Sequence, residues 1–185
     1  MAVPLLKGPF TVDAYQRLAE LGILREDHRV ELIDGQIVEM SPIGDRHASC
    51  VRRLNQLFAR HLLDLAVIDV QNPVVLGRRD APQPDLVLLK PRADAYRQHP
   101  RAADLLLVVE VADTTLAYDR EIKLPLYARV GIPEVWLVDV TADRIEVHRT
   151  PTAGSYRDSR SAARGETLTP LHFPTTTIAT ADILG

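Results

Sequence analysis

Leu105-Leu106-Leu107-Val108-Val109-Glu110-Val111 is an apolar run broken once, by a carboxylate next to its end. A strand with one face in water alternates polar and apolar side chains. This run is continuous, so both of its faces must be covered, as in a central strand. Downstream, residues from about Tyr118 to Val130 read as a helix that Gly131-Ile132-Pro133 stops. Pro125 removes one backbone hydrogen bond there and either bends the helix or marks where its regular part begins. Glu134-Val135-Trp136-Leu137-Val138-Asp139-Val140 and Arg144-Ile145-Glu146-Val147-His148 read as a further strand pair, with short strands continuing from Ser155 to Thr169.

Upstream of the central run, Asp85-Leu86-Val87-Leu88-Leu89 reads as a strand after the loop of Pro82 and Pro84, and Ala66 to Gln71 and Pro73 to Leu76 read as short strands. From Asp45 to about Leu63, the apolar residues Val51, Leu54, Phe58 and Leu62 recur at three- and four-residue steps, one face of a long helix. Val30-Glu31-Leu32-Ile33 and Gln36-Ile37-Val38-Glu39-Met40 flank Asp34-Gly35, a pair suited to a type I′ hairpin because both positions tolerate positive φ. Thr11 can cap a helix through Val12, Tyr15, Leu18 and Ala19 that Gly22 ends. A central strand leading through a helix into another strand, with helices around it, makes an α/β fold: a mixed β-sheet flanked by helices. The expected organisation is a single domain over residues 1–185, with a core at 10–150 and C-terminal strands and tail at 151–185.

The composition fits a globular chain, with 46% apolar and 25% charged residues among 185. The apolar runs fall well short of the ~20 residues a bilayer span needs, and Met1 to Phe10 shows no signal-peptide pattern, so a cytoplasmic protein with no membrane partner is expected. A single cysteine, Cys50, excludes an internal disulfide and a thiolate zinc site. The formal net charge of −3 argues against nucleic-acid binding by bulk electrostatics. Yet residues 63 to 140 hold 9 basic and 12 acidic side chains while the flanking segments balance, so the excess surrounds Asp85 and Glu110.

The scattered glycines form no phosphate-cradling loop, dinucleotide fingerprint or Gly-x-Ser-x-Gly elbow, and the histidines have no paired metal-ligand spacing. Carboxylates and one lysine remain. Glu110 interrupts the central strand, where a buried carboxylate needs a cation, a protonated neighbour or a metal; as a strand-end residue it could instead reach solvent. Asp85 opens another apolar strand, and if the two strands are neighbours both carboxylates converge, as hard divalent ions require. Lys123 shares a helix face with Asp119 and Tyr127 at four-residue steps. It either makes a surface pair with Asp119 or approaches a phosphate near the strand end. Glu31 is either a further polar group of that site or a solvent-facing hairpin residue, and His47 either caps the long helix or contacts a ligand. Arg46, Arg53 and Arg60, at steps of seven with Arg52 beside them, form a basic stripe that is either a solvated face or a track for a nucleic-acid backbone.

Taken together, Val30-Glu31-Leu32-Ile33-Asp34-Gly35, the His47 helix, Pro84-Asp85, Val108-Val109-Glu110-Val111, the Asp119, Lys123, Tyr127-Ala128 spacing and Gly131-Ile132-Pro133-Glu134-Val135-Trp136-Leu137-Val138-Asp139 resemble the Uma-two family of the PD-(D/E)XK restriction-endonuclease-like superfamily. The resemblance runs from about Thr11 through Val147. It implies a restriction endonuclease-like mixed sheet and a metal-dependent DNA endonuclease site. Asp85 and Glu110 would be Mg²⁺ ligands, with Mn²⁺ as a substitute, and Glu31 and Lys123 would complete the catalytic set. His47 and Tyr127 would support the site or touch substrate, and Arg46, Arg53 and Arg60 would contact DNA. The wider superfamily also suggests a homodimer, with Val135-Trp136-Leu137 as either a contributor or core. Two departures stand out. Ala112 occupies the position of the superfamily's Glu-x-Lys lysine, which leaves that role to Lys123, and Ala112-Asp113-Thr114-Thr115 replaces a Ser-rich loop. The competing expectation is a catalytically inactive nucleic-acid-binding or interaction protein on the same fold.

Overall fold

A computed structural model of the chain describes residues 4–6, 8–25 and 28–185. The reading of Met1 to Phe10 therefore falls partly outside the described residues. β1 (Pro4–Leu6) is followed by α1 (Val12–Glu20), where the Thr11 hydroxyl accepts the Ala14 N–H at 3.2 Å and Gly22 turns the chain at φ +70°. β2 (Val30–Ile33) and β3 (Gln36–Glu39) form the expected hairpin, and Asp34 and Gly35 both take positive φ, +48° and +73°. β1 adds to β3, giving a three-stranded sheet in the order β1-β3-β2.

α2 (Asp45–Leu62) then crosses to a six-stranded sheet of β4 (Val67–Asp69), β5 (Leu86–Leu89), β6 (Leu105–Ala112), β7 (Glu134–Asp139), β8 (Arg144–Pro151) and β9 (Tyr156–Ala163), which lie side by side in that order. Only β6 and β7 run parallel, so the sheet is mixed. The quoted run is β6, every residue of it buried, because α2 covers one face and the connection to β7 covers the other. Val109 and Val111 pack with Leu54 and Phe58 of α2, while Val108 lies with Leu126 and Tyr127 on the opposite face. Two short strands, β10 (Thr167–Leu168) and β11 (Ile178–Ala179), pair with each other further along the chain.

Two expectations change and two open alternatives are settled. Pro73 to Leu76 is no strand: it is tied down singly by bonds such as Val74 N–H to the Pro82 carbonyl and Val75 N–H to the Pro100 carbonyl. The β6 to β7 connection starts earlier than expected, with α3 (Leu116–Tyr118), then a π turn at Asp119–Lys123, then α4 (Leu124–Arg129). Within it the Leu124 N–H reaches back five residues to the Asp119 carbonyl. Pro125 is the second residue of α4, so the regular helix begins beside it, where a missing N–H costs least. Val135, Trp136 and Leu137 are fully buried and offer no surface to a second copy. Finally, the C-terminal tail is ordered core: α5 (Thr180–Leu184) packs on α2 and buries Ile183 and Leu184.

A partly buried ion pair holds the segment that leads to it. Glu134 Oε1 accepts from Trp136 Nε1 at 2.9 Å and from Arg149 Nε at 2.8 Å, and Glu134 Oε2 accepts the Leu171 N–H at 2.6 Å. Arg149 also donates to the Thr169 carbonyl. Glu134→Ala leaves a partly buried guanidinium and a buried indole N–H without their acceptor. A loss of about 3 kcal/mol is expected, read as a lower urea midpoint at unchanged slope; an unchanged midpoint would show that the pair is dispensable.

Candidate active site

Strand pairing brings the carboxylates together. β5 and β6 are antiparallel with Leu86 opposite Val109, so Asp85 and Glu110 sit one rung beyond the last paired residues. There Asp85 replaces a strand partner, its Oδ2 accepting the Val111 N–H at 2.8 Å. Its Oδ1 meets His47 Nε2 at 2.8 Å, from the first turn of α2, and Gln71 Nε2 at 3.1 Å. Burial alone would raise the Asp85 pKa, but the hydrogen bond and charge of His47, with the Val111 N–H, hold it below the ordinary range. His47 is correspondingly raised: burial lowers it, and Asp85 outweighs that. The two groups stabilise each other through this hydrogen bond.

Alternation along β6 turns Glu110 toward the face covered by α4. Glu110 Oε1 accepts from Lys123 Nζ at 3.2 Å and from Tyr127 Oη at 2.5 Å. Lys123 Nζ lies at the same 3.2 Å from Glu31 Oε2, so the ammonium bridges the hairpin and the central strand. Glu31 also takes the Gln83 N–H at 3.2 Å and the Tyr118 hydroxyl at 3.3 Å. Glu31, Asp85, Glu110, Asp119 and Lys123 are each no more than 6% exposed, which excludes both an Asp119–Lys123 surface pair and a solvent-facing Glu31. Asp119 instead accepts from the Thr115 hydroxyl at 2.8 Å.

Burial pushes the Glu110 carboxyl upward, with Lys123 and the Tyr127 hydroxyl pulling the other way. Burial would lower Lys123, but Glu110 first, then Glu31, Asp119 and Asp85, outweigh it and hold the ammonium well above its usual range. Tyr127 is raised by burial and by Glu110, which keeps its hydroxyl a donor.

Glu31, Asp85, Glu110, Asp119 and Lys123 line one cavity of about 560 Å³, which the Ser41–Gly44 loop and residues between 113 and 122 also line. Among the described residues no three His, Cys, Asp or Glu side chains form a group that could hold a metal ion. The donor set is smaller: two carboxylates on adjacent strands. That is the set Mg²⁺ takes when water and substrate phosphate supply its other positions, so the residues fit the ion in chemistry.

The arginine stripe divides. Arg46 donates to the Val140 carbonyl, and Arg53 donates to Ser49 and to the Ile183 and Leu184 carbonyls at the end of α5. Arg60 is exposed. Two of the three therefore hold the chain's own backbone. The sequence reading omitted Gln71, which reaches Asp85 from a positive-φ turn, and Tyr118, which reaches Glu31; neither carries a local signal, because each acts across more than a dozen residues of separation.

A sequence model of the Uma2 family, described as "Putative restriction endonuclease", matches residues 12–181. No curated protein sequence matches the chain. A solved structure from Anabaena variabilis, described as a "putative nuclease belonging to DUF820", superposes with a TM-score of 0.73 at 14% identity, covering 95% of this chain and 98% of that one. At that identity the likeness establishes the fold. No helix among the described residues is long and apolar enough to cross a membrane.

Removing one member of the Lys123 cluster leaves buried charge uncompensated. Lys123→Met should cost about 3 kcal/mol in unfolding experiments. The Lys123→Met, Glu110→Gln double variant should cost less than the sum of the two singles, because the carboxylate that needed the ammonium has gone. Additive losses would mean that Lys123 and Glu110 do not stabilise each other.

Proposed function

The chain belongs to the Uma2 family, and on that premise we propose that it is a Mg²⁺-dependent endonuclease that hydrolyses phosphodiester bonds in DNA. The observation that carries this reading is the meeting of Asp85, Glu110, Glu31 and Lys123, from separate segments, in one cavity.

Asp85 and Glu110 would hold Mg²⁺, or Mn²⁺ in its place. Such an ion, when bound, stabilises charge on the phosphoryl oxygens and lowers the pKa of a bound water. His47 keeps Asp85 ionised and, with Gln71 and the Val111 N–H, fixes its orientation. Tyr127 orients Glu110 from below. Lys123, held by Glu31 and Glu110, is a charged donor positioned to orient an attacking water or to neutralise a phosphate oxygen. Glu31 fixes the lysine through the hairpin and is the candidate base. Arg46, Arg52 and Arg60 are the exposed arginines of α2 and would be the ones to contact a phosphate.

One observation favours a second reading, an inactive nucleic-acid-binding or interaction protein: Glu110 already has a counter-charge in Lys123 and a hydrogen-bond donor in Tyr127. The two readings part on metal and turnover. Purified protein should nick supercoiled plasmid with Mg²⁺ or Mn²⁺ and stop when the metal is chelated, and Asp85→Ala should lower the rate by at least 100-fold, about 2.7 kcal/mol of barrier. Equal cleavage by the variant would expose a contaminating nuclease. Calorimetric titration should show Mn²⁺ uptake that both Asp85→Ala and Glu110→Ala abolish; no uptake by the unaltered protein would favour the inactive reading.

A further inference from the structure

The mouth of the cavity is apolar and acidic. Ile43 is 41% exposed and Ile122 is 43% exposed, and both line the same cavity as Glu110 and Lys123. They come from different elements, Ile43 from the loop between β3 and α2 and Ile122 from the π turn. Met40, Pro42 and Ala117 extend the apolar lip. The charged groups beside it are Glu39, Asp113 and Glu121 against Arg29, whose guanidinium is turned to the Ser41 carbonyl at 2.8 Å.

This rim suits one physical form of nucleic acid better than another. A duplex carries one negative charge per ~1.7 Å of axis and hides the faces of its bases. Laid across this mouth, it would set its second backbone against three carboxylates and give the isoleucines no apolar surface to cover. Nor does α2 offer that backbone a basic track at the mouth, since none of its arginines lines the cavity and Arg46 and Arg53 are bonded to the chain's own carbonyls. A single strand brings less charge and has bases free to leave the stack. Aliphatic wedges that kink a duplex cover base faces only after the cost of unstacking a step is met, and a single strand offers such faces without that cost.

Resting on the nuclease reading above, we propose that the cavity selects single-stranded DNA, with a phosphate at Lys123 and the adjoining unstacked base lying against Ile43 and Ile122. These two isoleucines are specificity residues; the chemistry stays with the carboxylates and the lysine.

Binding tests this independently of cleavage. Fluorescence anisotropy would compare a labelled single-stranded oligonucleotide with its blunt duplex, in Ca²⁺ so that turnover does not consume the probe. The single strand should bind at least tenfold more tightly. The Ile43→Ser, Ile122→Ser double variant should lose about tenfold of single-strand affinity, the size expected from uncovering that much aliphatic surface, with duplex affinity unchanged. Both side chains are exposed, so its thermal melting should match the parent. Equal or tighter binding of the duplex, tighter binding of single-stranded RNA, no binding of either DNA, or a double variant that binds like the parent would overturn the proposal. If the strand preference holds and no plasmid or oligonucleotide is cut, the nuclease reading falls and the binding preference stands. If duplex is cut and binds as well as the single strand, the reverse is true.

Discussion

An ammonium with almost no access to water must find its counter-charges inside the protein, and Lys123 finds Glu31 and Glu110 at equal distance. Each carboxylate belongs to a different sheet, so the lysine joins the N-terminal hairpin to the central strand. Neither acid could be buried alone without a large desolvation cost, and neither could the lysine. The cluster is therefore self-consistent only when all three segments are docked. That requirement couples the fold to the site.

The connection from β6 to β7 delivers the lysine. Its helix changes register in the π turn, where Leu124 bonds to Asp119, and returns to α geometry beside Pro125. Asp119, Lys123 and Tyr127 are all buried on the inner side of this segment, while Arg120 and Glu121 face out. Turns of this kind are commonly found at functional sites. Here it places a charged residue and a phenol on the same carboxylate. At the same sheet end, Asp85 is fixed by an imidazole, an amide and a backbone N–H, so its orientation does not depend on the lysine. The two carboxylates are thus held by separate sets of partners, one around His47 and one around Lys123.

Much of this was readable in the residues. Continuous apolar patterning identified β6, Asp34-Gly35 identified the hairpin, and a three- and four-residue apolar rhythm identified α2, because local backbone preference and one-sided burial leave a direct trace in residue order. Glu31, Asp85, Glu110 and Lys123 were legible as candidates, and their burial was left open between a shared site and the surface. What failed was local. Pro73 to Leu76 has strand-like composition but no neighbouring strand to pair with, and the tail after Thr169 lacks a strong pattern because Glu134, Arg149 and Arg53 hold it through long-range bonds.

By itself, the sequence determined the fold class, the central strand, the hairpin and the candidate acids and lysine. Tertiary structure decided their relations. It turned Lys123 from a possible surface partner of Asp119 into a bridge between Glu31 and Glu110, assigned Arg46 and Arg53 to backbone carbonyls, and set Ile43 and Ile122 at the rim of one cavity. The physical reason is range. Periodicity reports which side of an element is buried, whereas charge pairing depends on which elements meet, and that is settled only when the sheet and helices pack.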